Sequence, residues 1–474
     1  MVTSKEASVR SVIDADRILT AVLLTAFLSA CSNSPGLAPL PSGNPQAASR
    51  LVKRLSSSGG DSVIQHVVVI IQENRSMDNL FYGYPNANTQ SYGYNEEGDK
   101  IPLKPVGLQV GWDLSHDSYS ATTACDGPKS DLPGTNCKMD GFDNEYYQCN
   151  KSGFPPCPNA NPPYSYVPHS ETKPYFAIAQ QYVLGDNMFQ SDWDMSSFVS
   201  HQYIIAAQAD STANFPEAQW GCEGGSGDTI ETMTQERVLT GDWIPACFSY
   251  TTLADELDAA KLSWRFYASI YNTSGGLWSA YQAVSPIFNG PDWKKDVISP
   301  QTDFFGDVKH GKLPVVSWIT PTCLNSDHSG CLGKTGPSWV ASLVNAIGES
   351  QYWDSTAIFI FWDDPGGWYD HVPPPYLKYN WDGLGMRVPI LVVSAYAKQN
   401  YISHVQYDNT SILKFIEDRF SLASMTESDK NATSPEADCF DFSQPARKFT
   451  AIPTEYDENY FLHQPPDPRP VDTE

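Results

Sequence analysis

The chain has 474 residues, of which 41% are hydrophobic and 18% are charged, and this composition excludes an intrinsically disordered protein. Because 30 Lys and Arg residues stand against 55 Asp and Glu residues, the formal net charge of −25 argues against nucleic-acid binding and against docking on an anionic membrane through a basic patch. The length suits one catalytic α/β domain that carries insertions.

Residues 1–31 have the features of a bacterial export signal. Basic residues precede an apolar run over 18–30 that is too short for a permanent membrane span. The run ends in Leu-Ser-Ala-Cys31, which resembles the lipobox of bacterial lipoproteins. We expect an exported protein, either attached to the cell envelope through lipidated Cys31 or, if Cys31 is incidental to a plain signal peptide, periplasmic or extracellular. Residues 32–62 are rich in Ser, Pro and Gly and are predicted to be a flexible tether.

The region 63–445 has the pattern of an α/β catalytic domain. Apolar, β-branched runs at 67–71, 313–319, 356–361 and 388–393 predict strands that are buried on both faces. Helical patterns occur at 339–347, with Ser338 as a candidate cap, and at 411–420, with Asp408 as a candidate cap. This alternation predicts a mostly parallel sheet covered by helices on both faces. We expect insertions at about 118–172 and 210–245, and a C-terminal tail over 446–474.

Eight of the ten cysteines lie close to another cysteine, in loops rich in Gly, Pro and Asp. No pair has the CxxC spacing of a zinc or redox site, so disulfides that staple the loops are expected, as in exported proteins. Spacing does not determine connectivity. The neighbours are Cys125 and Cys137, Cys149 and Cys157, Cys222 and Cys247, and Cys323 and Cys331; apart from Cys31, this leaves Cys439 as a buried or free thiol.

Polar side chains follow two of the predicted strands. Glu73 and Asn74 come after the first strand, and Asp363 and Asp364 come after the strand at 356–361. Each pair alone has an ordinary interpretation, as a helix cap or as a solvated turn. At one sheet edge, however, the four form an all-oxygen set that suits a hard divalent cation, which would offset the repulsion between adjacent carboxylates.

These residues lie in three segments that resemble the signature blocks of a known family. The segments are HVVVIIQENRSMDNLFYG, FWDDPGGWYDHVPPP, and GMRVPILVVSAYAK followed by YDNTSILKFIEDRF. They resemble the bacterial phosphoesterase family of non-haemolytic phospholipases C and acid phosphatases. The resemblance implies an alkaline-phosphatase-like α/β fold, a three-layer sandwich with disulfide-stapled insertions. It also implies one divalent metal ion, of the type Ca²⁺, Mg²⁺, Mn²⁺ or Zn²⁺, bound by Glu73, Asn74, Asp363 and Asp364.

The resemblance also implies a hydroxyl nucleophile that forms a phosphoenzyme. Aligning the apolar stretch over 203–207 and Gln208 places Ser197 at the nucleophile position. The prolines that flank the nucleophile in the family are missing here, so Ser196 and Ser200 remain alternatives.

Three histidines occur in settings similar to those of the family. His116, His328 and His371 are the predicted catalytic histidines, and His116 is the leading candidate for the group that protonates the departing oxygen. The family often has a doubled histidine where this chain has His328-Ser329, so one substrate-binding role is either lost or supplied by His201. Arg75 either clamps a phosphate oxygen or pairs with a nearby carboxylate.

The sequence therefore predicts a metal-dependent hydrolase of phosphate esters, of the phospholipase C or acid phosphatase type. The substrate is a phosphate ester, which includes phospholipids, and no nucleic acid or protein partner is implied. One alternative is a sulfatase or phosphonate hydrolase of the same superfamily, which is disfavoured because no Cys-x-Pro-x-Arg segment is present. The other is a non-catalytic envelope lipoprotein that uses the fold as a binding module.

Overall fold

The computed structural model describes residues 63–126, 137–217, 220–377, 379–467 and 469. The predicted export signal, Cys31 and the tether lie outside these residues. Among the described residues, no helix combines the length and the apolar character that crossing a membrane requires.

The strands of the described residues form one large sheet and three small ones. Their bounds are β1 His66–Gln72, β2 Tyr92–Tyr94, β3 Lys100–Pro102, β4 Lys104–Pro105, β5 Ser165–Tyr166, β6 Val183–Phe189, β7 Thr212–Ala213, β8 Thr229–Met233, β9 Leu239–Pro245, β10 Trp264–Tyr267, β11 Val297–Ile298, β12 Val316–Ile319, β13 Thr356–Trp362, β14 Arg387–Ser394, β15 Tyr401–Ser403 and β16 Tyr407–Asp408.

The α-helices of the described residues include four of ten residues or more. Their bounds are α1 Met77–Leu80, α2 Ser118–Cys125, α3 His169–Gln181, α4 Ser197–Ala206, α5 Leu253–Ala259, α6 Ser285–Phe288, α7 Asp292–Lys295, α8 Asp303–Lys309, α9 Gly336–Gly348, α10 Asn409–Phe420, α11 Glu427–Asn431, α12 Glu436–Cys439 and α13 Glu458–His463. Short 3₁₀ helices lie at Phe142–Asn144, Cys222–Gly227, Gly276–Trp278, Ala280–Ala283, Cys323–Asn325 and Trp353–Ser355.

The large sheet is mostly parallel, as predicted. Its strand order is β11-β10-β12-β1-β13-β14-β6-β15, and β16 also pairs with β6. Strand β1 is parallel to both neighbours, β12 and β13. Strand β14 is the exception, because it runs antiparallel to both β13 and β6.

Helices cover both faces of this sheet. Side chains an odd number of positions apart on a strand point to opposite faces. On β13, the ring of Phe359 packs against Phe415 of α10, and the ring of Trp362 packs against Tyr175 of α3. The predicted α/β three-layer sandwich is therefore confirmed, and the central strands are buried on both faces.

Several local predictions differ from the structure. Helix α9 begins at Gly336 with Thr335 at its N-cap, so Ser338 lies inside the helix and the predicted cap is wrong. Pro337 explains the earlier start, because proline suits a first helical turn, where no amide hydrogen is needed. Asp408 is confirmed as the cap of α10, where its carboxylate accepts a hydrogen bond from the Thr410 amide at 2.8 Å.

The loops are stapled as expected. Disulfides join Cys125 to Cys137, Cys149 to Cys157, Cys222 to Cys247, and Cys323 to Cys331, and Cys439 is a buried free cysteine. The insertion at 210–245 contains the antiparallel sheet β7-β8-β9. In the C-terminal segment, Phe461 of α13 is buried and its ring lies 5.1 Å from that of Trp339 on α9.

Candidate active site

The register of two parallel strands brings the acidic motifs together. Gln72, the last residue of β1, pairs with Trp362, the last residue of β13. The Asp363 amide then donates to the Gln72 carbonyl at 3.0 Å, so Glu73 and Asp363 leave the sheet side by side. This juxtaposition at the carboxyl edge is the arrangement that the sequence predicts for an α/β sheet.

Asn74 and Asp364 extend the cluster toward helix α4. The Asn74 amide Nδ2 lies 2.9 Å from Asp364 Oδ1 and 2.8 Å from Oδ2. Asp364 is held in turn by the Gly366 amide, which donates to its Oδ1 at 2.7 Å. Asn74 has a left-handed backbone with φ of 68°, which Asn tolerates better than most residues.

Ser197 is the first residue of α4 and contacts both of these side chains. Its Oγ donates to Asp364 Oδ2 at 2.9 Å and accepts from Asn74 Nδ2 at 3.0 Å. The hydroxyl therefore lies at a helix N-terminus, where unpaired backbone amides favour negative charge.

The two alternative serines have other partners. Ser196 is the N-cap of α4, and its hydroxyl donates to Asp194 Oδ1 at 2.8 Å. The Ser200 hydroxyl donates to the Asp363 carbonyl at 2.7 Å. Asp194 fixes the start of α4 by accepting hydrogen bonds from Ser196, and the sequence analysis did not predict this role. The available signal was an Asp two residues before Ser196, a spacing at which Asp commonly binds the following backbone.

The site concentrates buried negative charge, and no Lys or Arg of the described part of the chain forms an ion pair with its carboxylates. Burial is the largest cause of the raised carboxyl pKa values in the site. It raises the pKa of Glu73 and Asp364 well above the ordinary range and that of Asp363 to about 7, and the charge of a neighbouring carboxylate adds to each shift. Among the described residues, the ion-pair partner of Glu73 and Asp363 is His201. Four buried oxygens lack a hydrogen-bond partner, namely Glu73 Oε2, Asn74 Oδ1, and Asp363 Oδ1 and Oδ2. This donor set fits a divalent cation.

His201 lies within the cluster rather than at its rim. It follows Ser197 by four residues on α4, so the two side chains share one helix face. Its Nε2 is 2.9 Å from Glu73 Oε1 and 3.5 Å from Asp363 Oδ2. Ligand atoms of Glu73, His201 and Asp363 all lie within 4.8 Å of one another.

His116 and His328 lie together beside this cluster. Their ring centroids are 5.4 Å apart, and their nitrogens group with an Asp113 oxygen within 4.8 Å. Burial lowers the pKa of His116, but the charges of Asp113 and Asp364 outweigh burial and raise it to about 9. Asp113 was not predicted, although its place three residues before His116 was a usable signal.

Arg75 is fully buried behind the motif. Its Nε donates to the Asp327 carbonyl at 2.8 Å, its Nη1 donates to Asn79 Oδ1 at 3.3 Å, and its guanidinium lies 4.7 Å from the Trp368 ring centre. Burial lowers the pKa of Arg75 to about 10.

His371 contacts a different group of residues. Its Nδ1 lies 2.6 Å from Asp78 Oδ2 and its Nε2 lies 3.0 Å from Asn88 Oδ1. Asp78 and Asp370 also surround the buried Arg387, which binds Asp370 at 2.9 Å. None of these contacts is with Ser197 or with the four predicted metal ligands.

A cavity of about 200 Å³ reaches His116 from outside. Its lining is acidic and aromatic and includes Asp113, Asp117, Tyr146, Gln148 and Phe215. Two larger cavities, one beside Glu171 and one beside Glu349, have no side chain of the candidate site in their linings.

Known proteins share this sequence pattern. Residues 64–423 match the family model described as "Phosphoesterase family". Phospholipase C A of Mycobacterium tuberculosis is 24% identical over 400 residues, which cover 76% of this chain and 73% of that protein. Non-hemolytic phospholipase C of Pseudomonas aeruginosa is 28% identical over 217 residues, which cover 37% of this chain and 30% of that protein. A solved structure titled as a protein in the alkaline phosphatase superfamily from Vibrio parahaemolyticus matches with a TM-score of 0.36 and 10% identity, covering 78% of this chain and 69% of that one.

The protein is thus a hydrolase of phosphate esters that has an α/β fold. Because the match spans more than half of the chain, the protein belongs to the Phosphoesterase family. This membership confirms the resemblance stated from the three sequence segments, and it favours an enzyme over a non-catalytic binding module.

Proposed function

We propose that the protein hydrolyses phosphate esters through Ser197 and a phosphoserine intermediate. The observation that carries this proposal is the position of the Ser197 hydroxyl, which is hydrogen-bonded to both Asn74 and Asp364 at the start of α4. In the first step, Ser197 Oγ forms a bond to phosphorus as the ester bond breaks, and Asp364, which accepts the Ser197 hydrogen bond, takes the proton. Water then attacks phosphorus and gives a proton to His116, which has lost its own to the departing oxygen, and Asp364 returns the proton to Ser197 Oγ as the phosphoserine bond breaks.

The proposed metal ligands are Glu73, Asn74, Asp363 and Asp364. Unpartnered buried oxygens on Glu73, Asn74 and Asp363, and the raised carboxyl pKa values of Glu73, Asp363 and Asp364, support this assignment. A divalent cation bound there would favour the ionised hydroxyl and offset charge that grows on the phosphoryl oxygens.

His116 is the proposed proton donor to the departing oxygen. Its pKa of about 9 keeps the ring protonated at neutral pH, and the 200 Å³ cavity beside it offers space for a leaving group. His328, whose ring lies next to His116, is proposed to bind the phosphoryl group. Arg75 is proposed to clamp a phosphate oxygen through Nη2, which has no hydrogen-bond partner among the described residues. The contacts of His371 favour a positioning role through Asp78.

The substrate proposed is a phosphodiester of the phospholipid type. The names of the relatives, phospholipase C, and the cavity next to His116 support a substrate with a sizeable leaving group. Export is also proposed, with lipidation at Cys31 as its specific form, because four disulfides indicate an oxidising compartment.

Hydrolysis assays on the mature protein test this proposal. We expect release of p-nitrophenol from p-nitrophenyl phosphorylcholine to exceed that from p-nitrophenyl phosphate, and to be abolished by chelator, by Ser197→Ala and by Asp363→Ala. The variants Ser196→Ala and Ser200→Ala are matched controls, because their hydroxyls bind elsewhere. Full activity of Ser197→Ala, with loss in either control, would move the nucleophile to that residue.

A further inference from the structure

We infer that His201 is a nitrogen ligand of the metal ion, which makes the centre a mixed nitrogen and oxygen site. This inference rests on the proposed function, because it concerns the same centre. It departs from the all-oxygen set that the strand-end motifs suggest, and it assigns His201 to metal binding rather than to substrate binding.

The geometry of three side chains carries the inference. His201 Nε2 faces Glu73 Oε1 at 2.9 Å and Asp363 Oδ2 at 3.5 Å. Neighbouring ligand atoms that share one metal ion, with bonds of about 2.0–2.2 Å, are roughly 2.8–3.6 Å apart. The three side chains therefore have the mutual spacing of ligands that share one ion.

Burial and unpartnered atoms support the same conclusion. Glu73, His201 and Asp363 are each no more than 1% exposed. Within the described part of the chain, one oxygen of Glu73, both oxygens of Asp363 and Nδ1 of His201 have no hydrogen-bond partner. The carboxylates of Glu73 and Asp363 concentrate negative charge in the interior, and a cation shared by these side chains would offset it.

His201 reaches the two carboxylates because of helix periodicity. Ser197 and His201 are four residues apart on α4, so the helix presents the hydroxyl and the imidazole to the same edge of the sheet. The hydroxyl contacts Asn74 and Asp364, and the imidazole contacts Glu73 and Asp363.

The ligand chemistry predicts which ions bind. Imidazole suits Zn²⁺, whereas Ca²⁺, Mg²⁺ and Mn²⁺ prefer oxygen ligands. We therefore expect His201→Ala to weaken Zn²⁺ binding by at least about tenfold and Ca²⁺ binding by much less.

Pulsed electron paramagnetic resonance of the Mn²⁺-loaded full chain tests the inference. We expect ¹⁴N modulation from a directly bound imidazole in the wild type, its loss in His201→Ala, and its retention in His404→Gln. His404 is the control because its side chain is 65% exposed and pairs with Asp186. His201→Gln, which fills more of the space, is the second variant if His201→Ala does not fold.

Each possible outcome of this experiment either supports or contradicts the assignment of His201 as a metal ligand. The inference would be overturned if the wild type bound Mn²⁺ without ¹⁴N modulation or if the modulation persisted in both His201 variants. It would also be overturned if the wild type failed to bind Mn²⁺. Failure of the proposed function is distinguishable, since the wild type would then show the ¹⁴N signal and bind metal but would not hydrolyse either nitrophenyl ester.

Discussion

Gly366 packs directly against the backbone of Asn74. A Cβ atom on Gly366 would lie 2.6 Å from the Asn74 carbonyl oxygen and 2.8 Å from the Asn74 Cβ. Gly366 also has a left-handed backbone with φ of 62°, a conformation that favours glycine. The turns that carry the two acidic motifs thus touch at a point where a side chain does not fit.

Gly366→Ala is expected to lower both stability and activity. Backbone strain of about 1–3 kcal/mol and overpacking of about 1–3 kcal/mol predict a loss of a few kcal/mol in the free energy of unfolding. Displacement of Asn74 by about 1 Å would lower kcat/KM by roughly 100-fold. Urea unfolding and hydrolysis assays measure the two effects.

Gly98→Ala is the matched control for this substitution. Gly98 has φ of 80°, but a Cβ atom there would meet no atom within 4 Å. We expect a stability loss of about 1 kcal/mol from strain alone and unchanged kcat/KM. Equal effects of the two substitutions would show that the contact with Asn74 does not matter.

The alkaline limb of the pH–rate profile should depend on Asp113. Burial lowers the pKa of His116, whereas the charge of Asp113, followed by that of Asp364, raises it to about 9. A proton donor with this pKa is protonated at neutral pH and loses its proton as the pH rises through 9. In Asp113→Asn, we expect the alkaline limb of kcat/KM to move to lower pH. An unchanged limb would exclude His116 as the group that titrates.

Substitution of His116 should lower kcat more than substitution of His371. A proton donor contributes about 10²–10⁴-fold to the rate, so His116→Gln should lower kcat by that factor. His371 contacts Asp78 and Asn88, so we expect His371→Gln to lower kcat by less than about tenfold, below the range for a proton donor. Steady-state kinetics with both variants decide this point, and a loss in His371→Gln as large as that in His116→Gln would return His371 to the catalytic group.

Glu417 lies on α10, away from the site, and should make the free energy of unfolding depend on pH. Burial raises the pKa of Glu417 to about 9, and the hydrogen bond and charge of Asp429 add to this shift. Because the folded-state pKa lies above the unfolded value of about 4.3, the folded state binds the extra proton. The contribution to stability is therefore complete below the unfolded pKa and is lost as the pH rises toward 9.

Glu417→Gln should remove this loss. We expect the variant to be more stable than the wild type by roughly 1–3 kcal/mol at pH 8, and the difference to disappear near pH 4. Glu427→Gln is the control, because Glu427 forms an exposed pair with Lys430, and its effect should stay within about 1 kcal/mol. Thermal unfolding at several pH values measures both, and a constant difference across the range would contradict the assignment.

The sequence predicted the parts of the fold that have strong local patterns. The apolar run over 67–71 and the run over 356–361 are the central strands β1 and β13, and the acidic residues that follow them meet because these strands are neighbours. Strand β6 was missed because it contains Gly185-Asp186-Asn187, which are typical of turns. Gly185 lies there because a Cβ atom would meet the Ile390 side chain at 2.5 Å on the paired strand.

Contacts that depend on tertiary packing could not be predicted from the sequence. The residue numbers of His201 and Glu73 differ by 128, and their contact follows from where α4 packs on the sheet. His371 follows the paired aspartates closely in sequence, but the turn at Gly366 and Gly367 leads it to Asp78 instead. Proximity in sequence was therefore a poor guide to which histidines share the site.

The measurement that tests the central claim most directly is identification of the phosphorylated residue. The wild-type protein is mixed with p-nitrophenyl phosphorylcholine, quenched in acid during turnover, digested and analysed by mass spectrometry. Attack on this diester expels p-nitrophenol and leaves phosphorylcholine on the enzyme, so we predict a phosphorylcholine group on Ser197, absent from Ser197→Ala and present in Ser196→Ala. Phosphorylcholine on another residue, or active enzyme that never carries this group, would contradict the account.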